Sequence, residues 1–499
     1  MAARIRNPLC FYPKIRGEDA FSSFPSSGLA NAYLETQAST SPLDDKKIPK
    51  RSSQKTSKLD VPCSMFKFPS HRSVFYLCAM KFLYDKIEAR SPAFYAWLVL
   101  GLLFLIYISS FVDRQIVAVL GTAIRDDLGF TNTQIGVLYG PAFSLIYAVC
   151  GIFMGWFADQ FSRKRIILTG LVIWSLMTVA SGFASSFFFL VTARFFVGVS
   201  QSALSPAVYS LLADYFPPEK RARVFSVYAS GIFVGVGLSF LIGGSVAQAY
   251  DWREAMKIVG WPGLILAAIG YLLIREPARK FGKSERSASR FFEVLKFILG
   301  KKAVRYHLAG FSSLALSGYT ILAFIGNVLN DTFEFPSLIP QYGWFMFLAG
   351  AGVNVSGWLA DKLAIKYGPE KRFVMGIAAA LGGLPFYYFG LMAESVMTAF
   401  VLIGIGNVIA SSYNGVAAAL IQYFVKSDMR GMAGAVYLFV VSIVGFGIGP
   451  PVTGWLIDNI FTDLYGPSKA LLLVFTVCGV LAAVSFLKAM QHYHEDAVD

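Results

Sequence analysis

Residues 155–160 read GWFADQ and residues 357–362 read GWLADK, so one hexapeptide recurs 202 positions later with two changes. Each copy closes a long apolar stretch, the second such stretch in its own half of the chain. A second echo follows each: Arg221–Tyr228 reads RARVFSVY and Arg430–Tyr437 reads RGMAGAVY, at an offset of 209. Matched marks in the same order predict two parallel copies of one unit. Transporters use that plan, with the substrate path between the copies.

Working outward from these marks, apolar stretches of about 20 residues, the length a bilayer requires, fill the rest of the chain. Twelve are read: 94–120, 132–157, 165–183, 186–211, 223–248, 256–274, 304–328, 338–360, 372–392, 395–424, 433–457 and 467–488. Composition agrees, since 56% of residues are hydrophobic and 15% charged, where a soluble protein carries about a quarter charged. The sequence thus predicts an all-α membrane protein of twelve transmembrane helices, arranged as two six-helix bundles in pseudo-symmetric tandem. Its expected divisions are a disordered basic tail (1–92), an N-terminal bundle (93–274), a linker with an amphipathic helix (275–303), a C-terminal bundle (304–490) and a short tail (491–499).

The net charge of +14 is sorted by side. Residues before the first span hold 15 Lys and Arg against 8 Asp and Glu, and residues 275–303 hold 9 against 3. Basic clusters recur at Arg163-Lys164-Arg165, at Lys220-Arg221 with Arg223, and at Lys371-Arg372, all on the same side of a twelve-span topology. The opposite loops hold little base and carry Asp331, Glu334, Glu394, Asp458 and Asp463. The positive-inside rule therefore places both termini and the linker in the cytoplasm, in a plasma or inner membrane. The same sorting removes nucleic acid as the reason for the charge.

The tail and linker raise narrower expectations. Residues 1–79 lack the order of a cleaved signal peptide. They read as a dispensable tail or as sequence preceding a start at Met80, while Glu18, Asp19 and Glu35 argue against a transit peptide. In the linker, Phe291, Phe292, Leu295, Ile298 and Leu299 recur at helical spacing, which suits a helix on an anionic membrane face or a plain connector. The five Cys have no metal spacing. His307 opens a span and is either pore-lining or interfacial packing.

Gly155, Asp159, Arg163, Lys164 and Arg165 resemble the loop signature of the major facilitator superfamily, with Gln160 and Ser162 departing from it at a basic and a Gly position. Arg194 with Gly198 resembles that superfamily's fourth-helix motif. FVDRQI at 111–116, ALSPAVYSLLADYFPPEKRAR at 203–223 and YLFVVSIVGFGIGPPVTGWLID at 437–458 look like the spinster-like branch. The resemblance spans about residues 93–490. It implies alternating access by rocking halves and no covalent chemistry.

Charges inside spans carry the expected mechanism, because they are costly there and face a cavity or a partner. Asp113 and Arg114 lie within the first span, and Arg194 in the fourth reaches a comparable depth, with Gln201 seven residues on and on the same helical face. An Asp113–Arg194 pair, or a cluster of both with Arg114, is the expected compensation. If rocking removes its partner, Asp113 becomes a proton carrier. Arg114 and Arg194 can hold an anionic group by forked hydrogen bonds, with Gln201, Tyr319, Asn407 and Asn414 as further substrate contacts. Spinster-like relatives tie the first-helix Asp to proton coupling and usually show Glu where this chain has Gln201, which leaves Asp113 alone here. Asn327, Asn354, Ser411 and Tyr413 either line a cavity or bond between helices. Gating is expected of Gly155, Asp159, Arg163 and Arg165, of Gly357 and Asp361 in the second repeat, and of Arg221 and Arg430. Asp159 is the expected latch.

The function expected is a secondary active transporter, proton-coupled and monomeric, with membrane lipids around it. No Walker-type run, paired catalytic carboxylates or metal cluster is present, so no enzyme activity, cofactor or metal is expected. Resemblance implies an amphiphile such as a lysolipid or sphingoid phosphate as substrate. A small organic anion such as a sugar acid or aromatic carboxylate, taken up with protons, stays open beside it. So does a transporter-like sensor without flux.

Overall fold

The computed structural model describes residues 92–277, 288–426 and 429–497. The tail reading falls outside them, as do the linker residues 278–287. Twelve long helical segments follow one another: α1 Pro92–Val119, α2 Asn132–Gly155, α3 Arg163–Ser181, α4 Phe187–Tyr215, α5 Pro218–Ala249, α6 Trp252–Leu273, α7 Lys302–Thr332, α8 Gly343–Tyr367, α9 Pro369–Leu391, α10 Val396–Phe424, α11 Met432–Asn459 and α12 Gly466–Gln491. Eleven are long and apolar enough to cross a bilayer. The remaining one, α8, has 25 residues, enough for about 37 Å at 1.5 Å per residue. Gly350, Gly352, Asn354, Ser356 and Gly357 dilute its apolar content.

Helix starts follow local chemistry. Thr131 and Gln134 form a capping box at the head of α2, and Ser162, Ser186 and Asp251 each accept a backbone N–H at the heads of α3, α4 and α6. Pro218, Pro369 and Pro467 stand in first turns, where a missing N–H costs nothing. The fifth helix of each half contains a π-helical stretch, Ser239–Gly244 in α5 and Ser442–Ile448 in α11. Such stretches rotate the residues beyond them and concentrate at functional positions.

The halves meet along α2 with α11 and α5 with α8, and glycine makes the approach possible. A methyl group at Gly136 would overlap the Pro450 carbonyl, and a Cβ on Gly140 would lie 2.8 Å from the Phe446 oxygen. Likewise a Cβ on Gly237 would lie 3.0 Å from the Gly343 oxygen, and one on Gly350 would lie 2.9 Å from Phe233. These contacts sit toward the acidic-loop end. Toward the basic end the packing loosens: nothing stands within 4 Å of a Cβ on Gly151 or Gly357, eleven residues after Gly140 and seven after Gly350, on nearly the same helix faces, while Ile152 still packs against the second-half core.

The helix Ala288–Gly300 precedes α7. The side chains of Arg290 and Phe291 lie outside the described residues. Val294 and Ile298 are buried with Val304 and Phe373 of the second half, while Phe292 and Leu299 stay exposed. One face of this helix is thus docked on protein, which the amphipathic pattern alone did not distinguish from a membrane-lying helix. The final residues dock as well: Tyr493 is buried against Phe373 and Phe424, and the Asp496 carboxylate accepts the Ala303 N–H at 2.6 Å.

Candidate substrate site and gates

The first-span charges do not form the expected pair. Arg194 is buried, and its guanidinium donates to three main-chain carbonyls: Asp113 at 3.1 Å, Arg114 at 3.2 Å and Leu138 at 3.4 Å. Each carbonyl oxygen has a second lone pair beyond its helical bond, so Arg194 stitches α4 to α1 and α2 through backbone dipoles. The Asp113 carboxylate is 1% exposed and makes no hydrogen bond of good geometry. It faces Trp174 and Thr178 of α3, with Arg194 within electrostatic range. Helical rise gave the common depth of these groups; it could not give which atoms they turn to each other.

Arg114 is placed differently. It is half-buried and sits among three rings, with its guanidinium carbon 4.5 Å from the Phe111 centroid and 4.7 Å from those of Phe143 and Tyr147. One terminal nitrogen donates to Gln201 Oε1 at 3.3 Å, and Gln201 in turn donates to the Ser110 carbonyl at 3.2 Å. Its Nε has no partner, and among the described residues Arg114 forms no ion pair. Cation–π contact stabilises a guanidinium by about 0.5–2 kcal/mol yet leaves its outward donors free. Tyr319 of α7 lies within electrostatic range, stacked on Phe446 of α11 at 4.3 Å. Gln115 bridges the halves beside it, accepting from Tyr139 Oη at 2.8 Å and donating to the Leu322 carbonyl at 3.4 Å.

The other polar residues expected in a cavity are engaged elsewhere. Asn407 is buried with Met346 Sδ at 3.9 Å, Asn414 is exposed and donates to Ser411, and Asn354 donates to Gly350. Tyr413 is core, packed on Phe486. His307 lies in an aromatic box of Phe373, Tyr413, Tyr437 and Phe486, with Nε2 3.0 Å from the Ala417 oxygen. It is packing inside the second half and not pore lining.

At the basic end, Arg163 is 1% exposed and acts as a tie within the first half. It donates to Asp214 at 2.5 Å, Glu276 at 2.7 Å, Ser210 at 3.1 Å and the Pro277 carbonyl at 3.2 Å, joining α3, α4 and the chain beyond α6. Burial pushes Glu276 up, but the Lys164 N–H, the Arg163 guanidinium and Ser162 outweigh it and hold the carboxyl below its usual range. Arg221 donates to the Ala213 and Phe216 carbonyls, and Asp361 pairs with Arg372 at 3.2 Å. Arg165 and Arg430 stand near the surface of this end, and Gly155 lies on α2 one turn before Asp159, whose side chain is outside the described residues.

The opposite end is closed by a polar lock that the sequence did not reveal. Arg125, on the short helix Gly121–Leu128, makes a bidentate pair with Asp331 of α7 at 2.5 and 2.8 Å. Its hydrogen bonds to that carboxylate hold the guanidinium above its usual range. Asn327 donates to Asn132 and Asp331 at 2.8 and 3.0 Å. Asp458, at the last turn of α11, accepts four bonds from the head of α2: Asn132 N at 3.0 Å and Nδ2 at 2.9 Å, Thr133 N at 2.7 Å and Oγ1 at 2.6 Å. The first N–H groups of a helix have no internal acceptor, so a carboxylate from the other half completes α2. Asp331 and Asp458 entered the sequence reading only as loop acids, and Arg125 not at all.

Two six-helix halves with matched repeats agree with what the family comparison shows. The model of the Major Facilitator Superfamily matches residues 103–450. The chain belongs to this superfamily. This member is similar to an MFS-type efflux pump of Mycolicibacterium smegmatis, 28% identical over 415 residues that cover 81% of the chain and 95% of the pump. It is similar to the hexuronate transporter of Bacillus subtilis, 26% identical over 77% of the chain and 93% of that protein. In fold it matches a bacterial homolog of the human lysosomal transporter Spinster, solved inward-facing and unoccupied, with a TM-score of 0.72 and 24% identity over 81% of this chain and 99% of that one. The superfamily member described here is an integral membrane transport protein and not an enzyme.

Proposed function

We propose that this chain is a secondary active transporter that moves an amphiphilic organic anion by alternating access, with Arg114 as the anion-binding group and Asp113 as the proton carrier. The observation that carries the reading is Arg114: a half-buried guanidinium deep in a span, held by ring faces and Gln201, with no carboxylate paired to it among the described residues. A substrate anion removes the cost of that lone charge. The body of the substrate meets Tyr319 and Phe111, with buried Phe446 stacked behind Tyr319, which suits an apolar or aromatic chain. A sugar acid would ask for more polar lining than Asn407 and Asn414 supply, given where they are engaged.

Asp113 supports the proton role because its carboxylate is buried beside Thr178 and Trp174 yet makes no hydrogen bond of good geometry and no ion pair among the described residues. A group in that setting binds a proton when enclosed and releases it when wetted. The basic end is the cytoplasmic one in this reading. The lock at Arg125, Asp331 and Asp458 is then the external gate, and Asp159 with Gly155, Arg165, Gly357, Asp361 and Arg430 belongs to the internal one, while Arg163 and Arg221, expected as gate residues, brace the first half instead. Arg194 positions α1 and does not touch the anion. Proteoliposome flux of oleoyl lysophosphatidate at two pH gradients tests the reading. Arg114→Gln is expected to abolish flux, and Asp113→Asn to leave flux that no longer follows the gradient. Unchanged flux in the first variant, or unchanged pH dependence in the second, overturns the corresponding role. Saturable binding without flux in the wild type would favour a sensor.

A further inference from the structure

Four tyrosines that the sequence reading passed over converge beside Arg114. Tyr107 of α1 stands seven residues before Arg114, about 10 Å along the axis and on the same face, with Phe111 between them at 5.1 Å. Tyr107 stacks on Tyr228 of α5 at 4.1 Å, Tyr209 of α4 meets Tyr228 at 5.4 Å, and Tyr147 of α2 carries the ring that faces the Arg114 guanidinium. The phenols of Tyr107, Tyr147, Tyr209 and Tyr228 lie within electrostatic range of one another, and Ser205 stands beside Tyr107 and Tyr228. Four helices of the first half thus aim hydroxyl groups at one place. Tyr147, Tyr209 and Ser205 are half-exposed, so that place is open, while Tyr228 is fully buried and its hydroxyl makes no hydrogen bond of good geometry.

Apolar packing alone does not call for phenols here; Phe would stack equally well without a hydroxyl to satisfy. The buried Tyr228 hydroxyl has Ser205 beside it but no hydrogen bond of good geometry; a fully unsatisfied hydroxyl costs about 1–3 kcal/mol, and a well-placed hydrogen-bonding ligand removes what part of that cost remains. Each phenol both donates and accepts and carries no charge. We propose that Tyr107, Tyr147, Tyr209, Tyr228 and Ser205 form an uncharged hydrogen-bonding subsite next to Arg114. It takes the hydroxyl and carbonyl atoms that join the anionic group of the substrate to its apolar body. The substrate class is thereby narrowed to hydroxylated amphiphilic anions, an inference that rests on Arg114 being the anion site.

Two probes separate the subsite from the anion site: oleoyl lysophosphatidate, which has a glycerol hydroxyl and an ester, and oleyl phosphate, which has neither. Binding of each to the purified full chain is measured for wild type, Tyr228→Phe, Tyr209→Phe and Arg114→Gln, with melting temperature as the check on folding. Wild type is expected to prefer lysophosphatidate about tenfold, the effect of one or two hydrogen bonds. Either Tyr→Phe change is expected to cut that preference severalfold while oleyl phosphate binds as before. Tyr209 is half-exposed, so its variant keeps the test valid if Tyr228→Phe does not fold. The same preference in wild type and both folded variants overturns the subsite and leaves the anion reading standing. Wild type binding neither probe, or Arg114→Gln binding both as wild type does, overturns the anion reading and the subsite with it.

Discussion

Asp458→Asn is the sharpest test of the far-end lock. The carboxylate collects four donors from Asn132 and Thr133 across the boundary between the halves. An amide keeps one acceptor oxygen and turns an NH2 group toward donors, so two bonds are lost and one contact becomes repulsive. A hydrogen bond to a charged group contributes about 1.5–3 kcal/mol. Asp458 is only half-buried, and water compensates in part. A net loss of about 2 kcal/mol remains, which moves the balance between closed and open far ends about 30-fold toward open. The Arg125–Asp331 pair stays in place and limits the shift to that scale. Spin labels at Phe183 and Leu464, exposed sites at this end in the first and second halves, report the separation in a cysteine-free background. A longer-distance population absent from wild type should appear by double electron–electron resonance. A distance distribution identical to wild type in folded Asp458→Asn protein would refute the lock.

Three further perturbations have opposite or independent signs. Gly136→Val forces a side chain into the Pro450 carbonyl and is expected to hold the far end open or lower the melting temperature. Gly151→Val enters empty space and should melt as wild type does, yet lose transport because the basic end can no longer close; wild-type flux in Gly151→Val would contradict this. Arg163→Gln takes the guanidinium away from buried Asp214 and from Glu276, a loss of up to about 3–5 kcal/mol for a broken buried pair, and should lower the melting temperature by several degrees. Glu276 titrates below its usual range, so its contribution is present at neutral pH and is lost as pH falls through that lowered value. The gap between Arg163→Gln and wild type should therefore narrow in acid.

The fold was legible because it rests on signals that survive in one dimension. Span length, the GWFADQ and GWLADK echo and the sidedness of Lys and Arg all report on the chain's relation to the bilayer. Arg114 and Tyr319 stood out as well, since a charge or phenol in a span contrasts with apolar neighbours, and the fold brings the two within electrostatic range. What was hidden depends on azimuth and on partners from the other half. Arg194 was expected on the Asp113 carboxylate and instead binds carbonyls, which carry no sequence signal at all. The phenols at 107, 147, 209 and 228 look like ordinary span aromatics until four helices bring them together. Arg125 reads as a stray base in an acidic loop until Asp331 folds onto it, 206 residues later in the chain.

The closed end joins its carboxylates, amides and glycine faces to an apolar seam in which Tyr139 packs on Phe446 and Phe240 on Tyr342 across the halves, and this composition sets how its equilibrium responds to temperature. Wetting apolar surface raises heat capacity, whereas wetting polar groups lowers it. Parting the halves here exposes those rings with Ile135, Ile325 and Ile339, beside the peptide and polar atoms of the lock. The opening step therefore carries a positive heat-capacity change of its own, and its van't Hoff plot curves. A protein gated this way shifts the ratio of its two forms between warm and cold conditions, and that shift is separate from the curvature of its global unfolding.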